Sequence, residues 1–257
     1  MIAVGLDIGS LSTEAVVLND KNKILSYVIE LTQGDCKNAA ENVFYESLNK
    51  AKVSKEDVSN IVATGYGRDN ISFAKKTVTE ITCHALGAYF LFPETRTIID
   101  IGGQDSKGIK LDGNGKVADF VMNDKCAAGT GRFLEVIAHA MGVKLTDLGK
   151  LSSQSKKLIP ISSMCTVFAE SEVVSLVAEG STKSDIINGI HMAIAERIVT
   201  LLKRINIEEP VVMTGGVAKN EGVVRALENK LKIKINIPEE PQMVGALGAA
   251  LIAKRYM

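Results

Sequence analysis

Ala3-Val-Gly-Leu-Asp7-Ile-Gly9-Ser10 runs into Thr13-Glu-Ala-Val-Val-Leu18, and Thr97-Ile-Ile-Asp100-Ile-Gly102-Gly103-Gln104 runs into Gly108-Ile-Lys-Leu111. Each stretch reads as strand, tight glycine turn, strand. In both, an aspartate stands at the end of the first strand, followed by a glycine that can take positive φ and bring backbone N–H groups close to an anion. One such turn is common. Two copies about ninety residues apart make an internal repeat, with one phosphate-holding hairpin in each half.

Working outward, Pro210-Val-Val-Met-Thr214-Gly215-Gly216-Val-Ala-Lys219-Asn220 reads as a buried strand, a glycine pair and a helix start, a backbone suited to the flat or charged parts of a nucleotide. No Gly-x-x-x-x-Gly-Lys-Ser/Thr run exists, which excludes a P-loop, and Gly129-Thr-Gly131 follows no convincing strand as a dinucleotide fingerprint requires. Apolar periodicity predicts helices over about 36–50, 80–91, 131–141, 167–179, 184–205, 219–231 and 243–256.

The chain has 257 residues, 46% of them hydrophobic, enough for one large domain or two lobes. Thirty Lys plus Arg balance thirty Asp plus Glu, so no net field draws the chain to nucleic acid or to an anionic membrane. No apolar run reaches the roughly 18 residues of a spanning helix, and a charged signal-type start is missing, so a cytoplasmic protein is expected. Four cysteines scattered at 36, 83, 126 and 165 then read as reduced thiols or ligands and not as a disulfide framework.

Two Asp-Ile-Gly hairpins with a downstream Gly-Gly element resemble the phosphate and adenosine motifs of the superfamily that includes sugar kinases, acetate kinase, Hsp70 and actin. The resemblance implies an α/β protein of two ribonuclease H-like lobes closing over ATP and Mg²⁺. The lobes are expected at residues 1–92 and 93–257, divided near Pro93, with the last helix (about 242–257) crossing back to the first. More specifically, Ala63-Thr-Gly65-Tyr66-Gly67-Arg68, Asn123-Asp-Lys-Cys126-Ala-Ala-Gly-Thr-Gly-Arg132, Cys165-Thr-Val-Phe-Ala-Glu-Ser-Glu172 and Met213-Thr-Gly-Gly-Val-Ala218 look like the activator component of 2-hydroxyacyl-CoA dehydratases. That family, the BadF/BadG/BcrA/BcrD ATPases, includes subunits of benzoyl-CoA reductase and related reductive activases. The resemblance implies a homodimer sharing one [4Fe–4S] cluster. ATP hydrolysis would drive one electron from a ferredoxin or flavodoxin donor onto a dehydratase or reductase partner.

In the first hairpin, Gly9, Ser10, Leu11, Ser12, Thr13 and Glu14 are expected to cradle phosphates, with Asp7 turned to Mg²⁺ and its waters. Asp100, Gly102, Gly103 and Gln104 are expected to face them from the second lobe. Asp7, Asp100 and Gln104 are therefore the candidate catalytic residues. Glu14 stands where family members often carry lysine, which leaves the backbone contact intact. By position Gly215, Gly216, Lys219 and Gln242 match contacts to adenosine or ribose.

Cys126 and Cys165 are each expected to open a helix, since an apolar-periodic run follows each. A [4Fe–4S]²⁺ core with four thiolates keeps a net charge of −2, which helix N-termini stabilise through unpaired N–H groups. Gly129 and Gly131 beside Cys126, and Ser162 and Ser163 before Cys165, suggest accessible turns with N–H donors. One chain brings two such thiols and a symmetric dimer brings four. As residue types alone, the same four thiolates suit zinc equally well, and a free cysteine is also commonly a small buried hydrophobe. Cys36 is expected at the surface and Cys83 in the core. Cys83 and His84, adjacent on a helix, make a poor chelate, and His139 and His191 read as ordinary packed residues. A rival reading, a small-molecule kinase on the same scaffold, needs an acceptor pocket and a carboxylate base that no pattern supplies.

Overall fold

The structure, a computed structural model, describes residues 1–162 and 165–256. Strands β1 (Ile2–Ile8), β2 (Ser12–Asn19), β3 (Ile24–Leu31), β4 (Val58–Thr64) and β5 (Lys76–Thr77) form one sheet in the order β3-β2-β1-β4-β5. Strands β6 (Thr97–Ile101), β7 (Ser106–Leu111), β8 (Val117–Asn123), β9 (Val211–Thr214) and β10 (Ile235–Asn236) form the other, in the order β10-β9-β6-β7-β8. In each, the first three strands are an antiparallel meander and the fourth and fifth add parallel to the first. The two sheets thus share one topology, the structural form of the repeat read in the sequence.

Helices α1 (Cys36–Ala51), α2 (Glu80–Leu91), α3 (Gly131–Ala140), α4 (Leu148–Ser152), α5 (Thr166–Ala178), α6 (Lys183–Leu202), α7 (Glu221–Leu231) and α8 (Val244–Arg255) complete the fold. Side-chain alternation along the strands assigns the layers. On β1, Val4, Leu6 and Ile8 join Val43 and Phe44 of α1 in one core, while Ala3 packs on the opposite face with Ala249 and Ala253 of α8. On β6, Ile99 and Ile101 face the large core built by α3, α5, α6 and α7, while Ile98 faces Ala85 and Ala88 of α2. By the same period of two, Asp7 and Asp100 fall on the faces that the two sheets turn toward each other. No helix among the described residues is long and apolar enough to cross a membrane.

α2 and α8 are the central layer, and they meet with almost no side chain between them. A Cβ at Gly248 of α8 would lie 1.8 Å from the Cys83 carbonyl oxygen, one at Gly87 of α2 would lie 2.2 Å from the Val244 carbonyl oxygen, and one at Gly5 of β1 would lie 2.0 Å from the Ala246 carbonyl oxygen. All three neighbours are backbone, so none can swing aside. Gly248→Ala is therefore expected to cost about 3 kcal/mol, the upper part of the overpacking range. That lowers the thermal midpoint by roughly 6–12 °C for a chain of this size. A midpoint within a degree of wild type in scanning calorimetry would contradict this.

Most expected helices form with ends moved by a few residues, and the differences have local causes. α3 begins at Gly131, as periodicity placed it, so Cys126 does not open a helix as expected but lies five residues ahead of one, because Thr130 N–H and Oγ1 both donate to the Ala127 carbonyl and close a separate turn first. α7 begins at Glu221, because Asn220 caps it by accepting from the N–H groups of Gly222 and Val223. Cys36, expected at the surface, is half-buried at the start of α1, where its Sγ packs over Gly67. Cys83 is buried.

Candidate functional site

A cleft of about 710 Å³ opens between the two sheets. From the first lobe it is lined by Asp7, Gly9, Ser10, Leu11, Ser12 and Glu14, and from the second by Asp100, Gly102, Gly103, Gln104, Gly215, Gly216 and Lys219, with Gln242 at the approach to α8. Of the nucleotide-facing residues named from the sequence, Thr13 alone is absent from the lining. It is buried, with its hydroxyl 2.9 Å from that of Thr32. The two hairpins touch across the cleft, since a Cβ at Gly103 would lie 2.6 Å from the Leu11 side chain.

Local sequence explains how each part is held. β9 ends at Thr214, and Gly215 takes φ 84°, turning its N–H onto the Pro241 carbonyl at 3.0 Å. An L side chain there would be strained and would meet the Ile101 carbonyl oxygen at 2.4 Å. Gly216 stays bare beside the Gln242 amide, which donates to Ser12 Oγ at 3.3 Å and so ties the loop after β9 to the hairpin between β1 and β2. Lys219 is anchored by Glu240 at 2.8 Å. Gln104 is exposed in the turn after β6.

The floor of the cleft carries the charge. Asp7 is buried and its pKa is raised to about 6, chiefly by loss of hydration, which the neighbouring His84 only partly offsets. Glu14, opposite Asp7 in the strand register, is raised well above the usual carboxylate range, first by burial and then by Asp7 itself. Asp100 goes the other way, to about 2. Burial alone would raise it, but His84, Lys107 and the Thr214 hydroxyl outweigh that.

Lys107 is buried among Asp105 at 2.7 Å, Asp100 at 3.1 Å and Glu80 at 3.6 Å. Burial would lower its pKa, yet these three carboxylates raise it. Sequence reasoning passed over Lys107 and set His84 aside as half of a poor chelate. The hairpin register, which sets Lys107 opposite Asp100, was a usable signal for the first. For the second, the α2 register that places residue 84 over the aspartates required the tertiary fold. Between Asp7 and Asp100 the site keeps a carboxyl starved of compensating charge, facing a cleft wide enough for phosphates. A divalent cation carried in with phosphates suits that donor set.

The cysteines lie outside this cleft lining. Cys126 is half-buried in the loop between β8 and α3, where its carbonyl accepts from Asn123 Nδ2 at 2.9 Å. Cys165 is exposed and occupies the N-cap position of α5 with no side-chain capping bond. Ser162, whose N–H and Oγ both bond Glu172 Oε1 at 2.9 Å, is the nearest described residue before it, and Ser163 lies outside the described residues. Past Cys165, α5 presents Val167, Phe168, Val174 and Val177 to solvent. Among the described residues, no three His, Cys, Asp or Glu side chains gather as a metal-holding group. Cys165 is thus an exposed thiol at the start of a helix that turns apolar side chains to solvent.

A backbone link joins the two regions. The N–H groups of Gly131 and Arg132, which start α3, donate to the carbonyls of Gly102 and Gly103, each at 2.9 Å. The turn lining the cleft and the loop that carries Cys126 are therefore one hydrogen-bonded unit.

The BadF/BadG/BcrA/BcrD ATPase family matches the chain over residues 4–253. The activator of lactoyl-CoA dehydratase from Anaerotignum propionicum is 49% identical over 254 residues, spanning 98% of this chain and 97% of that protein. The activator of 2-hydroxyisocaproyl-CoA dehydratase from Clostridium difficile, solved with bound ADPNP, superposes with a TM-score of 0.96 at 47% identity, covering 100% of this chain and 95% of that one. A ROK family glucokinase from Streptomyces griseus, solved with glucose and AMPPNP, shares the fold at a TM-score of 0.60 and 15% identity, covering 99% of this chain and 100% of that one.

Proposed function

Because the chain belongs to the BadF/BadG/BcrA/BcrD ATPase family, we propose that it is an ATP-hydrolysing activator that delivers one electron to a 2-hydroxyacyl-CoA dehydratase or related acyl-CoA reductase. The protein would act as a cytoplasmic homodimer, taking the electron from a ferredoxin or flavodoxin. Cys126 and Cys165 from each of two subunits would hold one [4Fe–4S] cluster, and the exposed apolar face of α5 beside Cys165 is surface that a second subunit would cover. When bound, such a cluster supplies one-electron chemistry at a potential set by exposure and by hydrogen bonds to its sulfurs.

In the cleft, Ser10, Leu11 and Ser12 would present amides and hydroxyls to the phosphates. Asp7 and Asp100 would orient the waters of a Mg²⁺ ion, and Gln104 stands at the mouth as a candidate to place the attacking water. Hydrolysis of this kind needs oriented water and neutralised charge, with no covalent protein intermediate.

The observation that carries the reading is the pair of bonds from Gly131 and Arg132 to Gly102 and Gly103. Lobe closure around a γ-phosphate moves the 102–104 turn, and that turn cannot move without pulling on the Cys126 loop. We take residues 1–92, with the helix at 242–257, and residues 93–241 as the bodies that move. The kinase reading rests on the shared fold alone, since the glucokinase that carries that fold is only 15% identical to this chain.

Anaerobic purification tests the proposal. A brown dimer with about four iron per two chains, reducing its partner only when ATP is hydrolysed, is expected. A colourless protein that phosphorylates a small molecule, or electron delivery equally fast without ATP, would overturn it.

A further inference from the structure

His84 sits between the two sheets, in reach of an aspartate from each. It is buried on α2, one residue past Cys83, whose carbonyl is pressed against Gly248 of α8. Its ring spans the two sheets. Nε2 lies 3.7 Å from Oδ2 of Asp7 on β1, and Nδ1 lies 3.5 Å from Oδ1 of Asp100 on β6. Nδ1 also lies 3.1 Å from Oγ1 of Thr214 on β9, and that hydroxyl donates to Asp100 Oδ1 at 2.8 Å. With its proton given to Asp100, the Thr214 oxygen is left to accept from Nδ1. The ring is thus fixed by the second lobe on one edge and turned toward the first lobe on the other.

The space around it is closed. A Cβ at Gly245, at the start of α8, would lie 1.9 Å from Asp7 Oδ2 and 3.0 Å from His84 Nε2. The α8 backbone therefore walls in both groups, and the separation of the two carboxylates depends on the width of one imidazole.

We propose that His84 is a positioning residue for ATP hydrolysis, setting the spacing of Asp7 and Asp100 across the floor of the cleft so that both carboxylates reach their catalytic places when nucleotide binds. This rests on the ATPase reading above. It requires no contact between His84 and nucleotide, so its loss should appear in turnover and not in binding.

Each amide variant keeps one edge of the ring. Asn can reproduce the Nδ1 contact to Thr214 and Asp100, and Gln the Nε2 contact toward Asp7. The test compares wild type, His84→Ala, His84→Asn and His84→Gln in the holoprotein, measuring kcat and KM for ATP, equilibrium affinity for a non-hydrolysable ATP analogue, and thermal midpoint.

For His84→Ala we expect kcat to fall at least about thirtyfold while analogue affinity changes less than about threefold, consistent with loss of positioning alone. The two amides should each recover part of kcat and neither all of it. If wild type hydrolyses ATP and His84→Ala does so within twofold of it, or if kcat falls only in step with analogue affinity, the inference fails and the ATPase reading stands. If wild type hydrolyses no ATP, both fail. If the variants lose kcat in proportion to thermal midpoint, with no recovery in the amides, a merely structural role replaces positioning.

Discussion

Cys126→Ser and Cys165→Ser are each expected to take the anaerobic dimer from about four iron to near none and to abolish electron delivery, while ATP hydrolysis persists. A twofold axis doubles every change, so one substitution removes two of the four thiolates and leaves a ligand set that cannot retain the cluster. The fold itself should notice little. Cys165 is exposed and Cys126 half-buried, and neither side chain belongs to a core cluster, so stability of the isolated chain should stay within about 0.5 kcal/mol. Cys83→Ser is the control. That thiol is buried beside Ala3 and Val62, with a pKa pushed up to about 12 by burial, so its loss should lower the thermal midpoint while leaving iron unchanged. Full iron in either the Cys126 or the Cys165 variant would remove the basis for a shared site.

What was legible in the sequence followed from short-range rules. The Asp7 and Asp100 hairpins announced themselves because strand, aspartate and glycine turn are adjacent in the chain, and period-two alternation suffices to put Val4, Leu6 and Ile8 on one face and Asp7 on the other. The stripe Phe133, Leu134, Ile137, Ala138 and Met141 was readable for the same reason, and all five are buried. β5 and β10, with two residues each, carry no pattern of their own and exist only because a longer parallel neighbour offers an edge. Periodicity gave the start of α3 at residue 131, but not the separate turn, closed by Thr130, that keeps Cys126 off the helix end. Most hidden were His84 and Lys107. A histidine inside an apolar helix and a lysine on a strand look ordinary until the second sheet brings carboxylates to them. Long-range pairing, not composition, makes them part of the site.

Asp7→Asn separates stability from activity, because the two effects have opposite signs. In the nucleotide-free protein the Asp7 pKa is raised from 3.8 to about 6, mainly by burial. A carboxyl that binds its proton more tightly when folded destabilises the fold as pH rises from its unfolded pKa to its folded one. Wild type therefore loses stability between about pH 4 and 6, by about 3 kcal/mol for two pH units at 1.4 kcal/mol each. Asparagine, of the same shape and without charge, avoids that loss. The variant should match wild type near pH 4 and exceed it by up to about 3 kcal/mol at pH 8, minus what its own burial costs. Glu14, whose raised pKa is due first to burial and then to Asp7, is relieved of the second cause in the variant and so adds to the difference in the same direction, while Asp100 opposes neither. The Asp100 pKa is lowered to about 2, so its contribution is complete above its unfolded value and disappears only as pH falls further. Hydrolysis should move oppositely, falling at least about a hundredfold once a charged group facing the metal and its waters is gone. Mg²⁺ with an ATP analogue should then raise the thermal midpoint of wild type more than that of the variant, because the Asp7 charge that the cation would neutralise is gone from the variant and only Asp100, already offset by Lys107 at 3.1 Å, remains. A variant less stable than wild type at pH 8, or one that hydrolyses ATP at the wild-type rate, would show that Asp7 is a turn cap and not the group that meets the metal.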